Sequence, residues 1–246
     1  ASGLAAAQFT NKNTDFDTVT FNVTDGYQTV EPNVAVVTIT GHTRTVDYNG
    51  TEQKVTGYDV ASNNTLYSAA DFTFSGDSIA KRIHAGTTAM GLADTMFHNV
   101  NENFANVTFE VTDGSITVNP IDVEVTVTGN KATNVYDGAS HTVTGYTATA
   151  NTALYDVEHD FWFSGDSTAT RTNVVEGADA DGKTDMGLVD TMVHNTNNDF
   201  ATVTFTVNDG YQMITPLDDV VVTVTGNNAT NVYDGASHTV TGYTAT

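Results

Sequence analysis

Three residue types of a hydrolytic triad stand close together in one motif of the chain, as Asp137, Ser140 and His141. The motif returns 97 residues later, but the earlier copy at Asn49 to Gln53 has neither the aspartate, the serine nor the histidine. Neighbouring side chains on a strand point to opposite faces, so Ser140 and His141 are not expected to meet. We therefore expect a turn in which Asp137 caps its own backbone and His141 faces solvent, and we expect that the protein is not an enzyme.

An acidic insertion near residues 174–185 carries residue types that bind a hard cation. Asp179, Asp181 and Asp185 lie around Gly182 in a D-x-D-G pattern, which folds carboxylate oxygens around calcium. The match is partial, because an EF-hand loop has further acidic positions and a terminal glutamate. The corresponding segment of the first repeat, residues 84–89, has no carboxylate. Two readings stay open: a calcium site on these three aspartates, or a solvated acidic loop without a cofactor.

The single tryptophan, Trp162, stands between Phe161 and Phe163. If both phenylalanines face the core, alternation along the strand turns Trp162 outward. Its counterpart in the first repeat is Thr73. An exposed indole can stack on a sugar or anchor a protein partner, so Trp162 is the candidate ligand-binding residue, for a host glycan or matrix protein. In the alternative reading, the acidic insertion packs over it.

Recurring basic side chains are expected to have structural roles. The recurring His194 has no second His or Cys at metal-ligand spacing, which favours a hydrogen-bonded structural histidine. Arg82 and Arg171 recur beside FSGDS segments, where ion pairs with Asp77 and Asp166 are the simplest explanation.

Composition excludes several classes of partner. Among 246 residues, 8 Lys and Arg stand against 30 Asp and Glu, a formal net charge of −22 that repels nucleic acid and anionic membrane surfaces. The absence of cysteine excludes disulfides, zinc-thiolate sites and thiol nucleophiles. No apolar run approaches about 20 residues, so no membrane insertion is expected. High Thr and Asn with few lysines is typical of secreted bacterial surface proteins and predicts an extracellular location.

Internal repetition sets the domain organisation. Residues 125–149 recur as residues 222–246 with a single change, so these two copies are 97 residues apart. An earlier copy begins at residue 37, and it is 88 residues from residues 125–149. The predicted organisation is the C-terminal part of a repeat (1–36), a complete repeat (37–124), a complete repeat with the acidic insertion (125–221) and the N-terminal part of a further repeat (222–246).

A sequence that starts and stops within a repeat leaves two expectations open. One is a piece of a longer array, in which neighbouring repeats cover the strands at each end. The other is a subunit whose head and tail complete one another between molecules, giving head-to-tail self-association into an extracellular filament.

Apolar residues alternate with threonine through most of each repeat, which predicts half-buried antiparallel strands. Asp-Gly pairs, as at Asp113-Gly114 and Asp209-Gly210, favour tight type I′ hairpins near the end of each repeat. Helical spacing is confined to residues 91–99 and 187–195. The predicted fold is all-β: tandem β-sandwich-like repeats, either immunoglobulin-like or a small sheet with one short helix, joined end to end into a rod.

A tripeptide recurs in every copy, as Tyr48-Asn49-Gly50, Tyr136-Asp137-Gly138 and Tyr233-Asp234-Gly235. With the VTGY strand and the Asp-Gly pairs, it resembles the mostly-β, glycine-rich (MBG/YDG-type) tandem repeats of large bacterial surface adhesins. The resemblance covers nearly the whole chain. It implies a long protein anchored to the cell wall, in which repeats serve as stalk or adhesive modules, and it transfers no catalytic residues.

Overall fold

The computed structural model describes residues 1–176 and 181–246, and it confirms an all-β fold. The chain divides into two units, Ala1–Pro120 and Ile121–Thr246. Within the described residues, each helical element is a single 3-10 turn of three residues: Ala6–Gln8, Ala69–Asp71, Asp94–Met96 and Asp190–Met192.

The first unit carries its regular strands between residues 33 and 119. They are β1 (Asn33–Gly41), β2 (Thr43–Asp47), β3 (Gln53–Thr56), β4 (Tyr58–Ser62), β5 (Phe72–Phe74), β6 (Ile79–Arg82), β7 (Gly86–Ala89), β8 (Phe97–Asn99), β9 (Phe104–Thr112) and β10 (Ser115–Asn119). They form two three-stranded sheets, β4-β1-β9 and β2-β10-β7, and two strand pairs, β3-β6 and β5-β8.

The second unit repeats this arrangement in its first ten strands and has one additional strand pair. Its strands are β11 (Ile121–Gly129), β12 (Lys131–Val135), β13 (His141–Thr144), β14 (Tyr146–Ala150), β15 (Phe161–Phe163), β16 (Thr168–Arg171), β17 (Lys183–Asp185), β18 (Val193–Asn195), β19 (Phe200–Asn208), β20 (Tyr211–Thr215), β21 (Val224–Gly226) and β22 (Tyr243–Ala245). The sheets are β14-β11-β19 and β12-β20-β17, and the pairs are β13-β16, β15-β18 and β21-β22.

The hairpin predicted at Asp113-Gly114 is wrong, because β9 and β10 lie in different sheets. The carboxylate of Asp113 instead accepts hydrogen bonds from the backbone N–H groups of Gly91 and Leu92, both at 2.9 Å. Asp209 does the same in the second unit. The Asp-Gly pair is thus a corner where the chain crosses between sheets, held by a long-range contact.

The sheets are also mixed, where the alternation predicted antiparallel strands throughout. β1 runs parallel to β9 and antiparallel to β4, while β10 runs parallel to β2 and antiparallel to β7. The helix predicted over residues 91–99 is wrong as well. Those residues form one 3-10 turn followed by β8. A run of one to two turns gains too few hydrogen bonds to stand as a helix, and Asp113 holds its start in another geometry.

The core follows the alternation that the sequence predicts. In β1, Ala35, Val37 and Ile39 are buried while the residues between them are more exposed, and in β10 Ile116 and Val118 are buried. Burial of each Val or Ile side chain contributes about 1.5–3 kcal/mol relative to exposure. These strands therefore supply much of the stability of the first unit.

Two glycines meet where the chain changes sheet. A Cβ atom on Gly41 would lie 2.7 Å from the Cα of Gly114, and one on Gly129 would lie 2.7 Å from the Cα of Gly210. Backbone atoms cannot move aside as a flexible side chain can, so each corner requires glycine.

One core position differs in character between the units. Gln212 of β20 is wholly buried where the first unit has Ile116, and its Oε1 has no hydrogen-bond partner. Its Nε2 donates to Asn134 Oδ1 at 2.9 Å, and the residue corresponding to Asn134 is Val46. A buried amide with an unsatisfied oxygen costs about 1–3 kcal/mol.

We expect the double substitution Gln212→Ile with Asn134→Val to raise the free energy of unfolding of the second unit by about 1–3 kcal/mol. It reproduces the apolar pair of the first unit. Urea unfolding followed by Trp162 fluorescence measures the second unit alone, because the chain has one tryptophan. The control is Ile116→Gln, which should leave this transition unchanged. A lower midpoint for the double variant would contradict the prediction.

Candidate functional site

Trp162 lies on the outer face of β15, as its alternation with two phenylalanines predicts. Its exposed fraction is 52%, whereas Phe161 is buried and Phe163 is partly buried. The ladder between β15 and β18 places His194 opposite Trp162, and the two rings stack with centroids 4.4 Å apart at 24°. One face of the indole is therefore covered by His194, while half of its surface stays open to solvent.

His194 is held in place by a short hydrogen-bonded chain. Its Nε2 lies 3.0 Å from Ser164 Oγ, which donates to the Met192 carbonyl at 3.2 Å. Because the serine proton is used there, Nε2 of His194 must be the donor to Ser164. The hydrogen bond predicted for this histidine is present. Its stacking on Trp162 was not predicted, because it depends on the register of two distant strands.

The first unit lacks this platform. Thr73 stands opposite His98, which lies 3.4 Å from Ser75 Oγ. The same backbone frame thus carries an aromatic stack in one unit and a threonine in the other. This difference supplies a matched control for any activity assigned to Trp162.

A shallow groove recurs between the 3-10 turn that precedes β8 or β18 and the long strand β9 or β19. In the first unit it has a volume of about 480 Å³ and is lined by residues that include Asp94, Thr95 and His98. In the second unit the corresponding groove of about 360 Å³ is lined by residues that include Asp190 and Thr191. Carboxylate and hydroxyl groups suit hydrogen bonding to a polar ligand such as a sugar.

The predicted calcium ligands are engaged in other contacts where the structure describes them. Asp181 Oδ1 accepts from the Lys183 backbone N–H at 2.8 Å, and Asp185 forms an ion pair with the Lys183 ammonium. Asp179 lies outside the described residues. Among the residues that are described, no group of three His, Cys, Asp or Glu side chains could hold a metal ion. The three-aspartate calcium site remains a prediction.

A buried arginine side chain holds the two ends of the acidic insertion. Arg171 is 2% exposed. Its guanidinium donates to the carbonyl oxygens of Asn173, Val174 and Lys183 at 2.7–2.9 Å and to Thr184 Oγ1 at 3.1 Å. These acceptors lie at the two ends of the insertion, whereas the sequence predicted Asp166 as the partner. Arg171 therefore fixes both ends of the loop that carries the aspartates.

Two lysines approach one half-buried tyrosine, Tyr211, in the second unit. Lys183 Nζ lies 4.8 Å and Lys131 Nζ 5.5 Å from the ring centroid of Tyr211, at cation–π distances. The hydrogen bond that the Lys183 ammonium donates to the Asp185 carboxylate raises the pKa of Lys183. The sequence did not indicate this cluster, because the three residues come together through the register of β12, β17 and β20.

The triad-like motif is a capped turn. Asp137 Oδ1 accepts from the Ala139 backbone N–H at 2.9 Å and lies 3.0 Å from His141 Nε2. These two hydrogen bonds, with that from Ala139 the larger, lower the pKa of Asp137. The predicted backbone cap is confirmed, while His141 is partly buried where full solvent exposure was predicted. Asp234 and His238 form the same contact at 2.9 Å.

A pH-dependent pair lies on the exposed loop after β14. His159 Nδ1 lies 2.8 Å from Asp156 Oδ2, and this hydrogen bond raises the pKa of His159 above 6.5. The pair therefore stabilises the fold fully below the unfolded-state pKa, and this contribution is lost as pH rises through the folded-state pKa.

We expect Asp156→Asn to return the pKa of His159 toward its ordinary value, as measured by NMR titration of the imidazole protons. His42 is the internal control, because its pKa is raised by a separate hydrogen bond to Asp59. A titration of His159 that is unchanged by the substitution would show that Asp156 does not hold the proton.

Comparisons with known proteins add no relative: no family model, no curated protein and no solved structure matches the chain. Within the described residues, no helix has the length and apolar character needed to cross a bilayer.

Proposed function

We propose that this chain is a non-enzymatic structural region of a bacterial cell-surface adhesin. In this proposal its repeats are joined end to end into an extracellular rod that projects an adhesive surface away from the cell wall. The observation that carries the proposal is repetition at two levels, since near-identical sequence segments recur along the chain and both units have the same strand order.

Two further features support a stalk. The net charge of −22 makes neighbouring rods repel one another at distances within the Debye length. The Asp and His residues that suggest catalysis are hydrogen-bonded to each other in a turn, where Asp137 caps the backbone. A spacer that must remain extended and chemically inert has these properties.

Small-angle X-ray scattering of the whole chain tests the rod. In the proposed rod, β1 and β2 run end to end and would span about 50 Å at 3.3 Å per residue, so two units would extend about 100 Å and give a radius of gyration of about 30 Å. A single compact globule of this length would have a radius of gyration of about 18 Å. The smaller value would overturn the rod.

Glycan binding by the second unit is the other candidate function. The observation that favours it is the half-exposed indole of Trp162, held flat on His194. A rigid aromatic face suits stacking against the apolar face of a sugar ring. Host glycans or glycosylated matrix proteins are the corresponding partners.

One experiment separates the two candidates. The whole chain and its Trp162→Ala variant are screened on a glycan and extracellular-matrix array, with and without calcium. A stalk predicts no binding under any condition. Binding that is lost in the variant, with an unchanged far-UV circular dichroism spectrum, would favour the glycan site. Binding that also needs calcium would bring the acidic insertion into that site.

A further inference from the structure

In each unit, the first two strands run parallel to, and are hydrogen-bonded with, the ninth and tenth strands. In the first unit, β1 pairs with β9 over eight residue pairs and β2 pairs with β10 over five. In the second unit, β11 pairs with β19 over seven and β12 with β20 over five. Each unit is therefore closed by ladders between these early and late strands.

This arrangement decides how tension would act on a unit. The ordered strands of the first unit begin at Asn33, which lies opposite Phe104, and end at Asn119, which lies opposite Asp47. Because the paired strands are parallel, these two points lie at opposite ends of the ladder. Tension along the chain pulls the first pair of strands and the last pair in opposite directions along their own axes.

Sliding of this kind strains all the bonds of a ladder together, because ladder hydrogen bonds run across the strands. Peeling a hairpin apart breaks them one at a time. Buried side chains add to the resistance, since Val37 and Ile39 on β1 and Ile116 and Val118 on β10 are at most 1% exposed. Close-packed side chains must leave their positions together for either strand to slide.

The glycine corner makes the two ladders continuous. Close approach of Gly41 and Gly114 lets both chains cross to the second sheet side by side. Across the corner, the Ser115 N–H donates to the His42 carbonyl at 3.2 Å, and the Tyr211 N–H donates to Asn130 in the same way. Strain on one ladder therefore passes directly to the next.

We propose that each unit has a further function as a shear clamp that bears tension along the chain. The inference rests on the proposed stalk function, which supplies the tension: an adhesive tip held by its ligand pulls on every repeat between that tip and the cell. The structural property itself, resistance that depends on the direction of pulling, belongs to the folded unit and is measured without a ligand or a cell.

Single-molecule force spectroscopy tests the clamp, and the cysteine-free chain makes attachment points specific. In the first arrangement, one cysteine is added before Ala1 and one after Thr246. In the second, the handles are Val34→Cys and Asn106→Cys, two exposed residues that face each other across the β1-β9 ladder. This pair pulls the same ladder apart sideways. Urea unfolding of each cysteine variant checks that it folds like the parent chain.

The clamp predicts an unfolding force several-fold higher along the chain than across the ladder at equal loading rates. It also predicts two steps of roughly 300 Å in the first arrangement, one for each unit. Equal forces in both directions would overturn the clamp and leave the stalk proposal standing. If the unfolding force depends on direction but small-angle scattering gives the radius of gyration of a compact globule, the stalk proposal is overturned and the clamp is retained.

Discussion

Gly129→Ala is expected to lower the free energy of unfolding of the second unit by about 2–4 kcal/mol. The added Cβ would meet the Gly210 backbone and lie 2.8 Å from Leu188 Cδ1. Both chains would have to separate at the corner, which breaks the continuity of the two ladders. The measurement is the urea midpoint of Trp162 fluorescence, which reports on the second unit.

The chain contains its own control for this substitution. Gly226 stands in the same local sequence as Gly129, but a Cβ atom there would have no neighbour within 4 Å. Gly226→Ala should leave the Trp162 transition within about 0.5 kcal/mol of the parent. Equal effects at both positions would mean that local backbone preference matters and that the close approach to Gly210 does not.

Arg171→Leu is expected to lower the stability of the second unit by about 3 kcal/mol. Leucine fills much of the space but leaves the carbonyl oxygens of Asn173, Val174 and Lys183 without their donor. Arg171→Lys should recover part of the loss, because an ammonium keeps the charge but cannot donate along several fixed directions. The urea midpoint of Trp162 fluorescence measures both variants.

Proteolysis distinguishes a local effect from a global one. Because Arg171 bonds residues on both sides of the insertion, its loss should make the peptide bond after Lys183 a faster site of trypsin cleavage under native conditions. The exposed Arg44 is the control, and Arg44→Leu should change neither the midpoint nor this cleavage. An insertion that stays protected in Arg171→Leu would show that other contacts hold it.

The sequence predicted which side chains are buried better than it predicted which strands pair. Alternation of valine with threonine placed Val125 and Val127 in the core, and alternation around Trp162 turned that side chain outward, because both depend on local geometry alone. The hairpins predicted at the Asp-Gly pairs were wrong, because the Asp209 carboxylate accepts hydrogen bonds from the backbone N–H groups of Gly187 and Leu188, which are far away in the sequence. Turn propensity depends on neighbouring residues only and therefore does not predict such a distant partner.

In the candidate site, too, the residues could be chosen from the sequence but their contacts could not. Trp162 could be chosen from its neighbours, whereas its stacking on His194 requires the β15-β18 register. Arg171 was noticed because it recurs, but its hydrogen bonds to the carbonyl oxygens of Val174 and Lys183 depend on the positions of two separate segments. Most contacts of this site join segments that are far apart in the sequence. Such contacts leave no local sequence pattern from which they could be predicted.

The pairing of the first two strands with the ninth and tenth also determines when a unit can fold. Residues that face each other in the β1-β9 and β11-β19 ladders lie about 70 to 80 positions apart, which gives each unit a high contact order and predicts slow folding. During synthesis, β1 has no parallel partner until β9 has emerged, and β2 waits for β10. Each unit therefore closes in one late step, and units complete in order from the N-terminus.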